Sequence, residues 1–153
     1  MQTITTFLTF NNQAEEAAQL YTSIFKRSAI KSVTHYNEGG PAPAGSVMSV
    51  TFELDGQEFI ALNGGASFHF TDGVSLFITC ETQEEIDMYW EKLSEGGEKR
   101  ECGWLKDRFG VSWQVVPAMM SRLLNNSDSE KLKRTMDALM KMTKLDIATL
   151  EQA

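Results

Sequence analysis

Short alternating apolar stretches and two helical periodicities give the chain a twice-repeated order. Ile4-Thr5-Thr6-Phe7-Leu8-Thr9-Phe10 is rich in β-branched and aromatic residues and predicts a strand. Asn11-Asn12 interrupts it. Asn12, with Glu15 three residues on, fits a capping box, in which each side chain satisfies a free backbone N–H at a helix start. Ala14, Ala17, Ala18, Tyr21, Ile24 and Phe25 then recur at helical spacing, predicting a helix that ends near Lys26. Ser28 to Asn37 predicts a strand, and Glu38-Gly39-Gly40-Pro41-Ala42-Pro43 a loop. Ser46 to Leu54 and Gln57 to Leu62 predict two strands about Asp55-Gly56, a tight-turn pair whose residues tolerate positive φ.

The same order returns. Val74 to Cys80 predicts a strand, and Thr82 with Glu85 a second capping box. Ile86, Tyr89, Trp90 and Leu93 line one helix face, which Gly96-Gly97 ends. Glu98 to Trp104, Leu105 to Arg108 and Val111 to Val116 predict three short strands, closed by Pro117. The segment from Gln13 to Tyr21 lies over that from Thr82 to Trp90. The Glu15-Glu16 and Glu84-Glu85 pairs coincide, Tyr21 meets Trp90, Ile24 meets Leu93, and Gly56 corresponds to Gly110. Duplication of a βαβββ unit explains this. A four-stranded sheet with one helix exposes an apolar face, and two such units can bury those faces around a cavity, within a chain or between chains.

Beyond Pro117 the pattern is helical. Met119 to Asn125 and Ser129 to Met142 predict helices, and Asp146 can cap a last turn carrying Ile147 and Leu150. Leu132, Met136, Leu139 and Met140 form an apolar stripe. Such stripes are packing faces, here for the chain's own sheet or for a second copy; a lid over a ligand is the alternative.

Composition narrows the partners. The chain has 153 residues, 42% hydrophobic and 23% charged, with a formal net charge of -7. It has no Lys/Arg run longer than a pair such as Lys99-Arg100, so the counterion release that drives nucleic-acid binding has no basic face to work from. Anionic membrane surfaces are disfavoured for the same reason. No apolar run approaches a membrane span or a signal peptide. Two cysteines, Cys80 and Cys102, give no disulfide framework and fit a reducing, cytoplasmic setting. Cys102 lacks a histidine placed as a base, and Glu15-Glu16 and Glu84-Glu85 sit where carboxylates complement a helix dipole.

Several segments resemble a known family. They are Phe7 to Phe10, Ala14-Glu15-Glu16-Ala17 through Tyr21 and Phe25, Glu53 to Leu62, Tyr89-Trp90-Glu91-Lys92-Leu93, and above all Cys102-Gly103-Trp104-Leu105-Lys106-Asp107-Arg108-Phe109-Gly110-Val111-Ser112-Trp113-Gln114-Val115-Val116-Pro117. Together they resemble the PhnB-like (demethylubiquinone methyltransferase-like) branch of the vicinal-oxygen-chelate, or glyoxalase/bleomycin-resistance, superfamily. Met142 to Ile147 fits this branch as well. The resemblance implies one α+β domain over 1–153: module one at about 3–64, module two at about 73–117, and a helical tail over 118–153. It also implies a homodimer.

Metal enzymes of that superfamily set His, Glu or Gln on the first and last strands of each module, around one divalent ion. Carried over residue by residue, those places hold Thr5 or Thr6, Ile60 or Ala61, Ser75 and Gln114. Glu58 is off by two or three residues, and His35 and His69 lie elsewhere. One neutral amide does not hold a catalytic divalent ion, so no metal and no cofactor are expected. Methyl transfer from adenosylmethionine is discounted too, because no glycine pair opens a strand–turn–helix unit.

The remaining candidates converge on a small-molecule surface. Gln114 is a polar fixer for a ligand, or else a buried amide paired with backbone. Trp104 and Trp113 stack on a planar ligand, or else fill the core. Asp107 is a ligand contact, or else satisfies backbone N–H groups in the Asp107-Arg108-Phe109-Gly110 turn. Ser75 and Thr6 complete the set. Alternation puts Ser112, Gln114 and Val116 on one face and Val111, Trp113 and Val115 on the other. The expected function is metal-independent binding of a small molecule in an enclosed cavity. A lyase or isomerase acting on a small carbonyl compound, and an interaction protein without a ligand, are the alternatives.

Overall fold

In a computed structural model that describes residues 2–153, strand β1 (Thr6–Phe10) leads into helix α1 (Ala14–Ile24) and then β2 (Ala29–His35), β3 (Val47–Leu54) and β4 (Gln57–Asn63). The sheet order is β1-β4-β3-β2, with β1 parallel to β4 and the other pairs antiparallel. Alternation decides which side α1 covers. Leu8 and Phe10, Val50, Phe52 and Leu54, and Phe59 and Ala61 are buried with Ala14, Ala17, Ala18, Tyr21 and Ile24 of the helix. Phe52 stacks on Phe59 with centroids 5.5 Å apart, and Tyr21 is tilted on Phe52 at 6.3 Å. Aromatic burial of this kind supplies about 1.5–3 kcal/mol per side chain.

The second unit, beginning at Phe70, repeats the order. It has β5 (Ser75–Cys80), α2 (Gln83–Ser94), β6 (Glu98–Lys99), β7 (Trp104–Lys106) and β8 (Ser112–Pro117), with sheet order β5-β8-β7-β6. Again the first and last strands pair in parallel. Ile86, Tyr89, Trp90 and Leu93 are buried, as their spacing predicts. The α+β class and the two βαβββ orders therefore stand as read. So does the Asp55-Gly56 turn, at φ 51° and 79°.

Three local expectations are corrected. Asn12 does not cap α1: Gln13 holds the cap position without a side-chain bond. Asn63, at the end of β4, accepts from Ala14 N at 2.8 Å and donates to Val47 O at 3.0 Å. A long-range amide has displaced the local box. Around α2 half the expected box forms. Thr82 accepts from Glu85 N, but the Glu85 carboxylate faces Glu81 N, at 3.5 Å, in place of Thr82 N. The predicted strand from Glu98 to Trp104 stops at Lys99, since Cys102 and Gly103 turn at φ 60° and 83°. Their N–H groups donate to Met142 O and Thr143 O of the tail, both at 2.8 Å, instead of to a sheet.

The tail forms α3 (Met120–Leu124), α4 (Ser129–Met140) and α5 (Ile147–Gln152). Val116, Met120, Leu123, Leu145 and Leu150 make its core, with Ala138, Leu139 and Met142 packed against it. The buried face of α4 is rotated from the predicted stripe. Thr135 is buried and donates its hydroxyl to Lys131 O, whereas Met136 and Met140 are exposed. No helix among the described residues is long and apolar enough to cross a membrane.

Candidate functional site

Register in the second sheet sets two rows of side chains on the face away from α2. Trp104 and Phe77 both oppose Gln114, and Arg100 N donates to Trp104 O at 2.9 Å. Alternation therefore aligns Arg100, just past β6, with Trp104, Gln114 and Phe77 of β7, β8 and β5. The adjacent row is Glu98, Lys106, Ser112 and Ser75. The opposite face carries Leu76, Ile78 and Cys80 with Leu105, Trp113 and Val115, against α2.

Gln114 is half-buried and donates from Nε2 to Ser75 Oγ at 3.0 Å. Trp104 and Ser75 are half-buried beside it, and the Phe77 ring is 59% exposed. Three predicted residues, Gln114, Ser75 and Trp104, are thus brought together. The structure adds Phe77, which the sequence reading missed: an aromatic in an apolar strand carries no sign of which face it takes.

Trp113 and Asp107 are placed elsewhere. Both are 2% exposed. The Trp113 indole N–H donates to Asp107 Oδ2 at 2.8 Å, and Phe109 N and Val111 N donate to Asp107 Oδ1 at 2.9 and 3.0 Å. One carboxylate closes the turn and holds a core tryptophan, on the opposite side of the sheet from Gln114. Thr6 belongs to the first unit. It pairs with Phe59 and shares the helix-facing side with Leu8 and Phe10, while Phe7, 53% exposed, points to the free side.

The end of the uncovered row is ionic. Asp72, in the segment before β5, takes three donors on one oxygen: Arg100 Nη1 at 2.7 Å, Ser112 Oγ at 3.3 Å and Lys106 Nζ at 3.5 Å. Arg100 Nε also lies 3.5 Å from Glu98. The hydrogen bond from Arg100 holds the Asp72 carboxyl below the ordinary carboxylate range. Burial works the other way at Cys80, whose thiol is pushed up to about 12. It is a core residue and not a nucleophile.

Metal chemistry does not fit these side chains. On the free face of the first unit, β1 offers Phe7 and Thr9, and β4 offers Glu58, Ile60 and Leu62. On that of the second unit, β5 and β8 offer Ser75, Phe77, Thr79, Ser112, Gln114 and Val116. Hydroxyls, one amide and a single carboxylate near the start of β4 are a poor donor set for a divalent ion. No group of three His, Cys, Asp or Glu side chains that could hold a metal occurs among the described residues. Adenosylmethionine fits no better. The turns before α1 (Asn11-Asn12-Gln13) and α2 (Glu81-Thr82) contain no glycine, and the second is acidic where a nucleotide-like ligand needs backbone donors.

The first unit carries a recess of about 580 Å³, open to solvent, between the start of α1 and the loop before β3. Asn12, Glu15, Tyr36, Pro41, Pro43 and Asn63 line it. Tyr36 donates its hydroxyl to Asn63 O at 2.6 Å, so this wall is tied to the residue that caps the helix.

Paired βαβββ units of this kind define the glyoxalase/bleomycin-resistance fold. The fosfomycin resistance protein FosX of Listeria monocytogenes, solved with Mn(II) and sulfate, shares that fold at 15% identity with a TM-score of 0.53 over 76% of this chain and 92% of its own. Within the fold the chain belongs to the family described as 3-demethylubiquinone-9 3-methyltransferase, whose model matches residues 2–116. A Bacillus cereus protein described as PhnB, and named for the same methyltransferase, is 44% identical with a TM-score of 0.71, over 76% of this chain and 100% of its own. A Pseudomonas aeruginosa protein shares the fold at 20% identity with a TM-score of 0.64, over 76% of this chain and 98% of its own. No curated protein matches the chain. The family match ends at Val116, within β8, so the C-terminal helices lie beyond it.

Proposed function

We propose that this chain binds a small planar molecule on the free face of its second sheet, without a divalent metal. Gln114 fixes the ligand, and Trp104 and Phe77 flank its ring. The observation that supports this best is the Gln114–Ser75 pair: a polar group held at 3.0 Å, with one amide oxygen to spare, in a row of exposed and half-exposed aromatics. An aromatic beside an oriented amide recognises a flat molecule with one donor or acceptor at its edge. The methyltransferase description of the family is not carried over to this chain, since its turns lack the glycines that an adenosylmethionine site uses. The ligand is expected from the cytoplasm, in keeping with two free thiols.

A panel of neutral bicyclic aromatics tested by calorimetry on the purified chain examines this. At least one is expected to bind at one site per chain, with affinity unchanged by a chelator. Gln114→Ala should weaken it about tenfold, the worth of one hydrogen bond to a desolvated group, with an unaltered fold by circular dichroism. Affinity that survives Gln114→Ala, but falls on changing Tyr36 or Asn12, would move the site to the recess of the first unit. Stoichiometric manganese or zinc binding at neutral pH would remove the metal-free part of the reading.

A further inference from the structure

We propose that Arg100, Lys106 and Ser112 form a carboxylate cradle at the end of the Gln114 row, that Asp72 of the same chain occupies it, and that the ligand is a planar aromatic acid whose carboxylate displaces Asp72. This rests on the reading that the Gln114 surface binds a ligand, and adds the ligand's charge and a built-in competitor. The three donors come from three places along the sheet: Arg100 beside β6, Lys106 on β7 and Ser112 on β8. All three meet on Asp72 Oδ1, at 2.7, 3.5 and 3.3 Å. The residue they hold is not part of the sheet. Thr71, Asp72, Gly73 and Val74 are exposed, and Asp72 leans in from the segment before β5 to cover Ser112, which is 1% exposed. A fixed donor set on the sheet therefore grips a carboxylate presented by a loop.

Charge supports an exchange. With Asp72 seated, Arg100 and Lys106 face Asp72 and Glu98, two cations against two carboxylates. Withdrawal of Asp72 leaves one uncompensated positive charge, which a single incoming carboxylate neutralises. Reach fixes the size of the acid. The carboxylate seat lies 3.3 Å from Ser112 Oγ, and Ser112 is two residues, about 7 Å along β8, from Gln114, with Trp104 on the neighbouring strand. A two-ring acid held by Arg100 and Lys106 lays its ring over Trp104 and brings its far edge to Gln114.

Calorimetry at low ionic strength with 2-naphthoate and its uncharged analogue 2-naphthamide tests this, since screening would hide the difference in high salt. The acid is expected to bind wild type about tenfold more tightly than the amide, the scale of one charge-assisted hydrogen bond. Asp72→Asn should tighten the acid several-fold and leave the amide unchanged. Arg100→Gln and, independently, Lys106→Gln should abolish the preference; melting curves show that each variant is folded, and either one suffices. Equal affinity of acid and amide in wild type and Asp72→Asn overturns the cradle and leaves a surface ion cluster, while amide binding at Gln114 stands. Weaker acid binding in Asp72→Asn overturns the competitor role. If neither compound binds any variant, the cradle falls together with the reading of the Gln114 surface.

Discussion

At Asp107 three donors converge on a carboxylate that is nearly sealed from water: Phe109 N, Val111 N and the Trp113 indole. Replacing it with alanine strands buried N–H groups, each of which costs about 1–3 kcal/mol when unpaired. Asp107→Ala is therefore expected to lower stability by roughly 3 kcal/mol in urea unfolding, with ligand affinity unchanged once the protein is folded. Lost binding at unaltered stability would instead return Asp107 to the site. Gln114 is the opposite case. It is half-buried on the free face with its amide bonded to Ser75, so truncation there should reach affinity before stability. Both residues, seven apart and polar, are candidates in the sequence; a pleat and one turn separate their roles.

Among the elements, the C-terminal helices are fastened to the second unit through α2 and the turn after β6. Gln83 donates to Leu145 O at 3.0 Å and accepts from Ile147 N at 2.9 Å, and Lys144 meets Asp87 at 2.9 Å. Leu145 is fully buried and lies over Gly103, where an added Cβ would come within 3.1 Å of its side chain. Leu145→Ala should cost about 3 kcal/mol through lost burial and a cavity. The fastening is acid-sensitive. Lys144, and after it Gln83, holds Asp87 below its ordinary value of 3.8, and the Thr149 backbone N–H does the same for Asp146. A depressed folded-state pKa contributes stability that is complete above the ordinary value and is lost as pH falls through the lowered one. Hydrogen exchange over residues 118–153 is thus expected to accelerate below about pH 3.8 before that of the β8 strand. Simultaneous loss in both regions would show that the carboxylates do not hold the tail.

At the scale of the whole molecule, surplus apolar surface bears on assembly. Met136 is 38% and Met140 59% exposed on α4, and the family resemblance adds the expectation of pairing. We propose a homodimer, because large exposed apolar patches on soluble chains mark interfaces. Light scattering should give twice 17.1 kDa at micromolar concentration. A mass that stays at 17.1 kDa on concentrating refutes it. If the helix is the interface, Met136→Glu with Met140→Glu yields a folded monomer; a persistent dimer places the contact on another surface. Leu139 and Ala138 face the chain's own core, so Met136→Glu leaves the docking of α4 intact, whereas Met140 also meets Cys102 Sγ at 3.7 Å and its change is read beside a melting curve.

The sequence by itself determined the α+β class, the twofold βαβββ order, the buried faces of α1 and α2 and the Asp55-Gly56 turn. Each of these follows from local spacing: a period of 3.6 or 2, or a residue that tolerates positive φ. It also put Gln114 and Trp113 on opposite faces, because alternation needs no partner strand. Tertiary structure decided what depends on register and on distant groups. Asn63 caps α1 from the end of β4, where Asn12 and Glu15 were locally just as suitable. Phe77 joins Gln114 and Trp104 only because β5 runs beside β8 in this register, and Arg100, Lys106, Ser112 and Asp72 meet only when three strands and a loop are assembled. On α4 the stripe of apolar residues was legible, but not which of them would be covered. Thr135 is buried and Met140 is not because the packing partner, and not side-chain polarity, set the rotation of that helix.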